Sequence, residues 1–140
     1  MTEINNNACL NIQFSKEDWA QYTHALDLFN RKYFWECHEV LEEIWLTKQA
    51  PLKTFIQGII QAAASFYHVL NENPRGAIKL AVEARQKLVS FTPLFKGLNV
   101  QELISALEFF ERESTEIIDS QKQQFTFERI PQLQIPTVMS

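Results

Sequence analysis

The sequence predicts an all-α fold, a single compact bundle of about five helices with an extended C-terminal tail. A chain of 140 residues has the length of one domain and can bury a substantial core. Hydrophobic residues make up 46%, with eleven Phe and three Trp, which argues against disorder. Three Gly and five Pro are few for a turn-rich β architecture, so long helices are favoured.

The first helix is predicted to begin at Ser15, after a flexible lead-in over residues 1–14. Ser15 with Asp18 three residues later resembles a capping box. Apolar side chains then recur at positions i, i+3, i+7 and i+10 from Trp19 to Phe29, which indicates one buried helix face. Asn30 and Arg31 offer a break at its end.

Three further helices are predicted in close succession. Helix two covers residues 33–46, and helix three runs from about Pro51, a proline tolerated in the first turn, to about residue 71. Asn73 before Pro74 forms an N-cap pair that opens helix four, which extends to about residue 90. The short connections make helices two and three antiparallel neighbours.

The last helix and the tail complete the predicted organisation. After a loop over residues 91–98, Asn99 with Glu102 starts helix five, which reaches about Ser120. Residues 121–140 show no helical period, and Pro131 and Pro136 limit any strand. We therefore predict a helical domain over 15–120, followed by an extended tail that packs either on the domain or on a partner.

Charge and composition exclude several classes of partner. The net charge is −4 and the basic residues form no cluster, which argues against nucleic acid. The longest apolar stretch, Phe55 to Leu70, is too short to span a bilayer and argues against a membrane partner. The first eleven residues contain no apolar leader, and Cys9 and Cys37 form no C-x-x-C motif. A cytoplasmic location with reduced thiols is the resulting expectation.

Helix three carries an ordered polar row on an otherwise apolar surface. Gln57, Gln61 and His68 fall within a sector about 60° wide at helical pitch. Each amide or imidazole left unpaired in the interior would cost roughly 1–3 kcal/mol, so the row needs polar partners. The comparable row on helix two is His38 and Glu42, one turn apart. We therefore predict that the two rows meet in a common space between the helices.

Two chemical interpretations of this site remain open. In the first, the space is a pocket for a small polar ligand or a divalent metal ion, with His38, Glu42 and His68 as ligands and water in the fourth position. In the second, the same side chains form a structural hydrogen-bond network that fixes helix register. The run from His38 to Glu42 looks like the zincin motif H-E-x-x-H but ends in Glu, so that zinc site does not transfer.

A longer pattern of residues extends over roughly residues 29–88. It consists of Phe29-Asn30, Tyr33-Phe34, Glu36, His38-Glu39, Leu41-Glu42, Trp45, Gln57 to Gln61, Ala63, His68, Asn73 and Gly76-Ala77. This pattern resembles a small bacterial and archaeal family, domain of unknown function three hundred and nine. The resemblance implies a compact helical fold and the activity by which the family is labelled, predicted metal-dependent hydrolase.

Two functional hypotheses follow. The first is a metal-dependent hydrolase with metal ligands His38, Glu42 and His68, with Glu39 as general base if the helix turns it inward, and with Gln57 and Gln61 orienting the substrate. The second is a non-catalytic helical-hairpin module, in outline similar to tetratricopeptide-like proteins. Its polar row would be internal, and it would bind a protein partner or a second copy of the chain through the Phe-rich tail or an exposed groove.

Overall fold

The computed structural model describes residues 12–137, and it confirms the all-α bundle. The predicted lead-in therefore lies largely outside the described residues, as do Cys9 and the last three residues of the tail. Within the described range the chain forms five α-helices: α1 Lys16–Asn30, α2 Phe34–Leu46, α3 Leu52–Leu70, α4 Pro74–Leu88 and α5 Val100–Ile118.

Side-chain caps fix three of the helix starts where the sequence predicts them. Ser15 Oγ accepts a hydrogen bond from the Asp18 backbone N–H at 3.0 Å, and Asp18 Oδ2 accepts one from Ser15 N–H at 2.9 Å. Asn73 Oδ1 caps α4 at 3.1 Å, and Asn99 Oδ1 caps α5 at 3.0 Å. Each oxygen satisfies an N–H that has no acceptor within its own helix.

Consecutive helices pack against each other, so the bundle is built from neighbouring pairs. Aromatic rings join helices that are distant in sequence. Phe66 of α3 lies 5.6 Å from Phe29 of α1 and 5.7 Å from Phe110 of α5, measured between ring centres. All three rings are fully buried and meet edge to face, the favourable geometry for aromatic pairs.

The tail packs on its own domain. Phe125, Ile130 and Leu133 are buried, and a short 3-10 turn at Phe127–Arg129 interrupts the extended course. Near the end of α5, the buried carboxylate of Glu113 accepts hydrogen bonds from Thr126 N–H at 2.7 Å and Thr126 Oγ1 at 2.5 Å and pairs with Lys122. A partner or second copy reached through this tail stays a prediction.

The segment predicted as a loop contains a small antiparallel hairpin. Strands β1 Leu94–Phe95 and β2 Leu98–Asn99 pair around Lys96 and Gly97, which have φ values of 50° and 73°. Positive φ at both central residues suits a tight hairpin turn, and Gly97 meets that requirement without a side chain. Strands of two residues are too short to show alternation in a sequence, which is why the hairpin was not predicted.

No helix within residues 12–137 combines the length and apolar character needed to cross a bilayer.

Candidate functional site

A cleft lies between the antiparallel helices α2 and α3. Its volume is about 440 Å³. Four residues that the sequence singles out line it together: His38, Glu42, Gln57 and Gln61. The structure therefore brings the two predicted polar rows to one space, named here the α2–α3 cleft, while the chemical roles assigned to these residues stay predictions.

Two lysines line the α2–α3 cleft, together with the carboxylate of Glu42. Lys53 comes from the first turn of α3, and Lys87 from the last turn of α4. The Lys53 ammonium lies 4.2 Å from the centre of the Trp45 ring, which also lines the cleft. Among the residues that the structure describes, neither lysine forms an ion pair with a carboxylate.

Gly58 explains how Lys87 reaches the cleft. A Cβ at Gly58 would lie 2.7 Å from the Leu88 side chain and 3.4 Å from Lys87 Cβ. The first distance is shorter than a van der Waals contact, so the absence of a side chain at Gly58 lets α4 approach α3 closely. The last turn of α4 thereby becomes part of the cleft wall.

His38 forms the middle of the site. Its Nε2 is 3.5 Å from Glu42 Oε2, and its ring stacks on Trp35 with centres 5.3 Å apart. The His38 side chain is 27% exposed, but its Nδ1 atom is buried and has no hydrogen-bond partner among the described residues. One nitrogen of the imidazole is thus held near a carboxylate while the other is unpaired.

Gln61 shows the same division between its two polar atoms. Its Nε2 donates a hydrogen bond to Glu83 Oε1 of α4 at 3.1 Å. Its Oε1 is buried, and no donor within residues 12–137 reaches it. An unpaired buried acceptor costs roughly 1–3 kcal/mol, so this atom favours a donor supplied by water or a ligand.

A second, smaller cavity adjoins the first. It has a volume of about 180 Å³ and is named here the aromatic pocket, lined by Phe34, Trp35, His38, Ala64, Tyr67 and His68. Two of its rings are unusually accessible for aromatic side chains, since Trp35 is 57% exposed and Tyr67 41%. His38 lines both cavities and therefore marks their boundary.

His68 lies in the aromatic pocket and not in the α2–α3 cleft. Its Nδ1 is 3.1 Å from Asn73 Nδ2, and Asn73 in turn caps α4. A Cβ at Gly76 would lie 2.8 Å from the His68 ring, so that glycine makes room for the imidazole. His68 therefore ties the end of α3 to the start of α4.

The residues present do not fit a three-ligand metal centre. Among residues 12–137, no three His, Cys, Asp or Glu side chains are grouped closely enough to hold an ion. His38 and Glu42 are neighbours, but His68 faces the other cavity with one nitrogen already engaged by Asn73. The predicted ligand set His38, Glu42 and His68 is thus not assembled, and its role stays a prediction.

Glu39 does not meet the condition attached to its predicted role. It is exposed to solvent and is not part of the lining of either cavity. One residue along an α-helix turns the side chain by about 100°, which carries Glu39 away from the face that His38 presents. A proton transfer by Glu39 in the cleft finds no support in this arrangement.

The sequence reasoning missed Lys53 and Lys87 as cleft residues. Lys53 had a usable signal, because it stands four residues before Gln57 and so extends the polar row by one turn. Lys87 had no local signal, since its place depends on how closely α4 packs at Gly58.

Two further side chains with nucleophilic atoms belong to the core. Cys37 is fully buried, and burial raises the pKa of its thiol to about 12, which removes the thiolate at neutral pH. Ser65, also buried, donates its hydroxyl to the Ala77 carbonyl at 2.7 Å and links α3 to α4. Both side chains are therefore part of the buried interior.

Comparison with known proteins gives a family and no activity. An "Uncharacterized protein" of Aquifex aeolicus (strain VF5) is 30% identical over 90 residues, which are 64% of this chain and 26% of the relative. The chain thus spans about a quarter of the length of that relative. No solved structure matches. Residues 22–80 match the profile of "Domain of unknown function (DUF309)", a range that contains α2 and α3 entire, so the predicted resemblance to this family is confirmed over those residues.

Proposed function

We propose that the protein binds a small organic anion in the α2–α3 cleft through a carboxylate or phosphate group. The observation that carries this proposal is the pair Lys53 and Lys87, which line one cleft without a carboxylate partner among residues 12–137. Each ammonium supplies three donors, and an anionic oxygen is their strongest acceptor. The cleft volume of about 440 Å³ lies within the usual range for ligand pockets.

The polar atoms beside the lysines suit the uncharged part of such a ligand. Gln61 Oε1 and His38 Nδ1 lack partners within the described part of the chain. Glu42, at the rim and 52% exposed, offers a further acceptor. A ligand that combines its anionic group with a hydroxyl or amine donor would satisfy both the lysines and these acceptors.

Calorimetric titration with inorganic phosphate and with succinate tests the proposal. We expect saturable binding of at least one of them, weakened about ten- to a hundredfold in Lys53→Ala and in Lys87→Ala, the range for losing a charge-assisted hydrogen bond. Lys79→Ala is the matched control, since Lys79 is an exposed lysine on the same helix as Lys87. Absence of binding by both anions, or an equal loss in Lys79→Ala, would overturn the proposal.

Metal-dependent hydrolysis, which the family resemblance implies, ranks second. It draws on the approach of His38 Nε2 to Glu42 Oε2, because residues one turn apart on a helix can share an ion. His38 and Glu42 would supply two ligands, so other groups would have to fill the remaining coordination positions of the ion. Thermal unfolding with added zinc or manganese tests this candidate: stabilisation that His38→Ala abolishes supports it, and no stabilisation of the unaltered protein removes it.

The remaining expectations concern partners and location. The interaction-module alternative requires a protein or a second copy to contact the tail or the groove, and the buried side chains of the tail already pack on the domain. Size-exclusion chromatography with light scattering tests self-association directly. A second copy, a protein partner and the cytoplasmic location stay predictions.

A further inference from the structure

The α2–α3 cleft and the aromatic pocket share the lining residue His38, and the two cavities together are named here the groove. On α3, the residues that line them form a continuous row with spacings of four, four, three and four positions: Lys53, Gln57, Gln61, Ala64 and His68. From Gln57 to His68 this row covers about 16 Å at the axial rise of an α-helix. On α2, His38 lines both cavities. A ligand that occupies both cavities would therefore run along this row of α3 and past His38.

The two ends of the groove differ in chemistry. Lys53 and Lys87 make one end cationic. At the other end the rings of Trp35 and Tyr67 have centres 6.3 Å apart and remain substantially exposed. An aromatic ring placed against these faces would gain stacking contacts and remove apolar surface from water. The ends thus favour an anionic group and a flat ring, respectively.

We infer that the ligand of this groove is an organic phosphate or carboxylate that carries a planar aromatic ring, with a nucleoside monophosphate as its simplest probe. This inference rests on the proposed function. The anionic group would contact Lys53 and Lys87, and the ring would stack against Trp35 and Tyr67. Between the ends, the polar side chains of His38 and Gln61, which line the α2–α3 cleft, would hydrogen-bond to heteroatoms of the ligand, which an alkyl chain lacks.

Calorimetric titration with inorganic phosphate, adenosine, adenosine monophosphate and octyl phosphate tests the inference. We expect the nucleotide to bind about tenfold or more tightly than phosphate, the size of one base–aromatic stacking contact. Trp35→Ala should abolish this advantage while leaving phosphate affinity unchanged. Tyr33→Ala is the matched control, because Tyr33 is 52% exposed and does not line the aromatic pocket.

The outcomes separate this inference from the function on which it rests. If phosphate binds and the nucleotide binds no more tightly, the anion site stands and the inference fails. If octyl phosphate binds as tightly as the nucleotide, or Tyr33→Ala removes as much affinity as Trp35→Ala, the aromatic ring is not what the groove selects. If neither phosphate nor the nucleotide binds, the inference fails, and if succinate does not bind either, the proposed function fails with it.

Discussion

Asn30 and Leu133 are separated by 103 residues and exchange two hydrogen bonds. Asn30 Nδ2 donates to the Leu133 carbonyl at 2.8 Å, and Leu133 N–H donates to Asn30 Oδ1 at 2.7 Å. The neighbouring Gln132 Nε2 donates to the Asn30 carbonyl at 2.9 Å. Asn30, the last residue of α1, therefore anchors the tail. Its side-chain amide pairs with the N–H and C=O of Leu133 as the backbone of a neighbouring strand would.

Asn30→Ala should destabilise the fold by about 1–3 kcal/mol, because it leaves the backbone N–H and C=O of the buried Leu133 without partners. Urea denaturation measures the change in the free energy of unfolding. Asn71→Ala is the control, since Asn71 is exposed and its side chain donates a hydrogen bond to the Tyr67 carbonyl one turn earlier. A loss in Asn71→Ala as large as that in Asn30→Ala would contradict the anchor.

Glu113 should make the free energy of unfolding depend on pH. Burial acts to raise the pKa of its carboxyl, but hydrogen bonds from Lys122 and Thr126 outweigh burial and hold the pKa below its ordinary value of 4.5. A lowered pKa in the folded state means that the stabilisation is present above the unfolded pKa and is lost as pH falls through the folded pKa. The pKa of the Asp18 carboxyl is also lowered: burial acts to raise it, but hydrogen bonds from Lys48 and Ser15 outweigh burial, so Asp18 adds to the loss of stability in acid.

Glu113→Gln should therefore lower the free energy of unfolding at pH 7 by about 1–3 kcal/mol and make its decline below pH 5 shallower. Denaturant titrations between pH 3 and pH 7 provide the measurement. Glu116→Gln, at an exposed position of the same helix, should remain within about 0.5 kcal/mol of the parent. An acid profile of Glu113→Gln parallel to that of the parent would refute the assignment.

Gly58→Ala should weaken both the fold and the anion site. The added methyl group meets the fully buried Leu88 side chain, so overpacking of about 1–3 kcal/mol outweighs the helix-propensity gain of about 1 kcal/mol. Displacement of α4 also moves Lys87. We therefore expect both the phosphate affinity and the midpoint of thermal unfolding to decrease. The double variant Gly58→Ala with Leu88→Ala should be more stable than the sum of the two single losses predicts; strict additivity would exclude a direct clash.

Asn73→Ala should cost about 1–2 kcal/mol, since it removes the α4 cap and the contact with His68. Asn73→Ser keeps a capping oxygen and should recover most of that loss. Both variants should leave phosphate affinity unchanged, because His68 lies at the aromatic end of the groove. Thermal unfolding and phosphate titration check the two parts, and a large drop in phosphate affinity would place His68 in the anion site.

The sequence predicted those parts of the structure that local chemistry determines. Ser15, Asn73 and Asn99 cap helices because a side-chain oxygen near its own backbone acts within one turn. The prediction that His38 and Gln61 line one space followed from helical periodicity together with the short connection between α2 and α3. These signals need no knowledge of distant contacts, and they placed α2 and α3 correctly.

Predictions that depended on distance along a helix, or on a third helix, were less successful. Gln57 and His68 share an angular sector, but they are eleven residues and about 16 Å apart along the axis. A shared sector therefore does not imply a shared site, and His68 falls in the second cavity. Lys87 enters the cleft only because Gly58 allows α4 to approach, which is a property of tertiary packing.

The contact between Asn30 and Leu133 also has a consequence for the order of assembly. Pairing of consecutive helices closes short loops, which is rapid, whereas a contact across 103 residues closes a long loop and forms later. During synthesis, the helices α2 and α3 that form both walls of the groove are translated before the segment that contains Leu133. We expect a nascent chain stalled before that segment to bind the ligand already. The segment around Leu133 would then pack on a domain that has already formed.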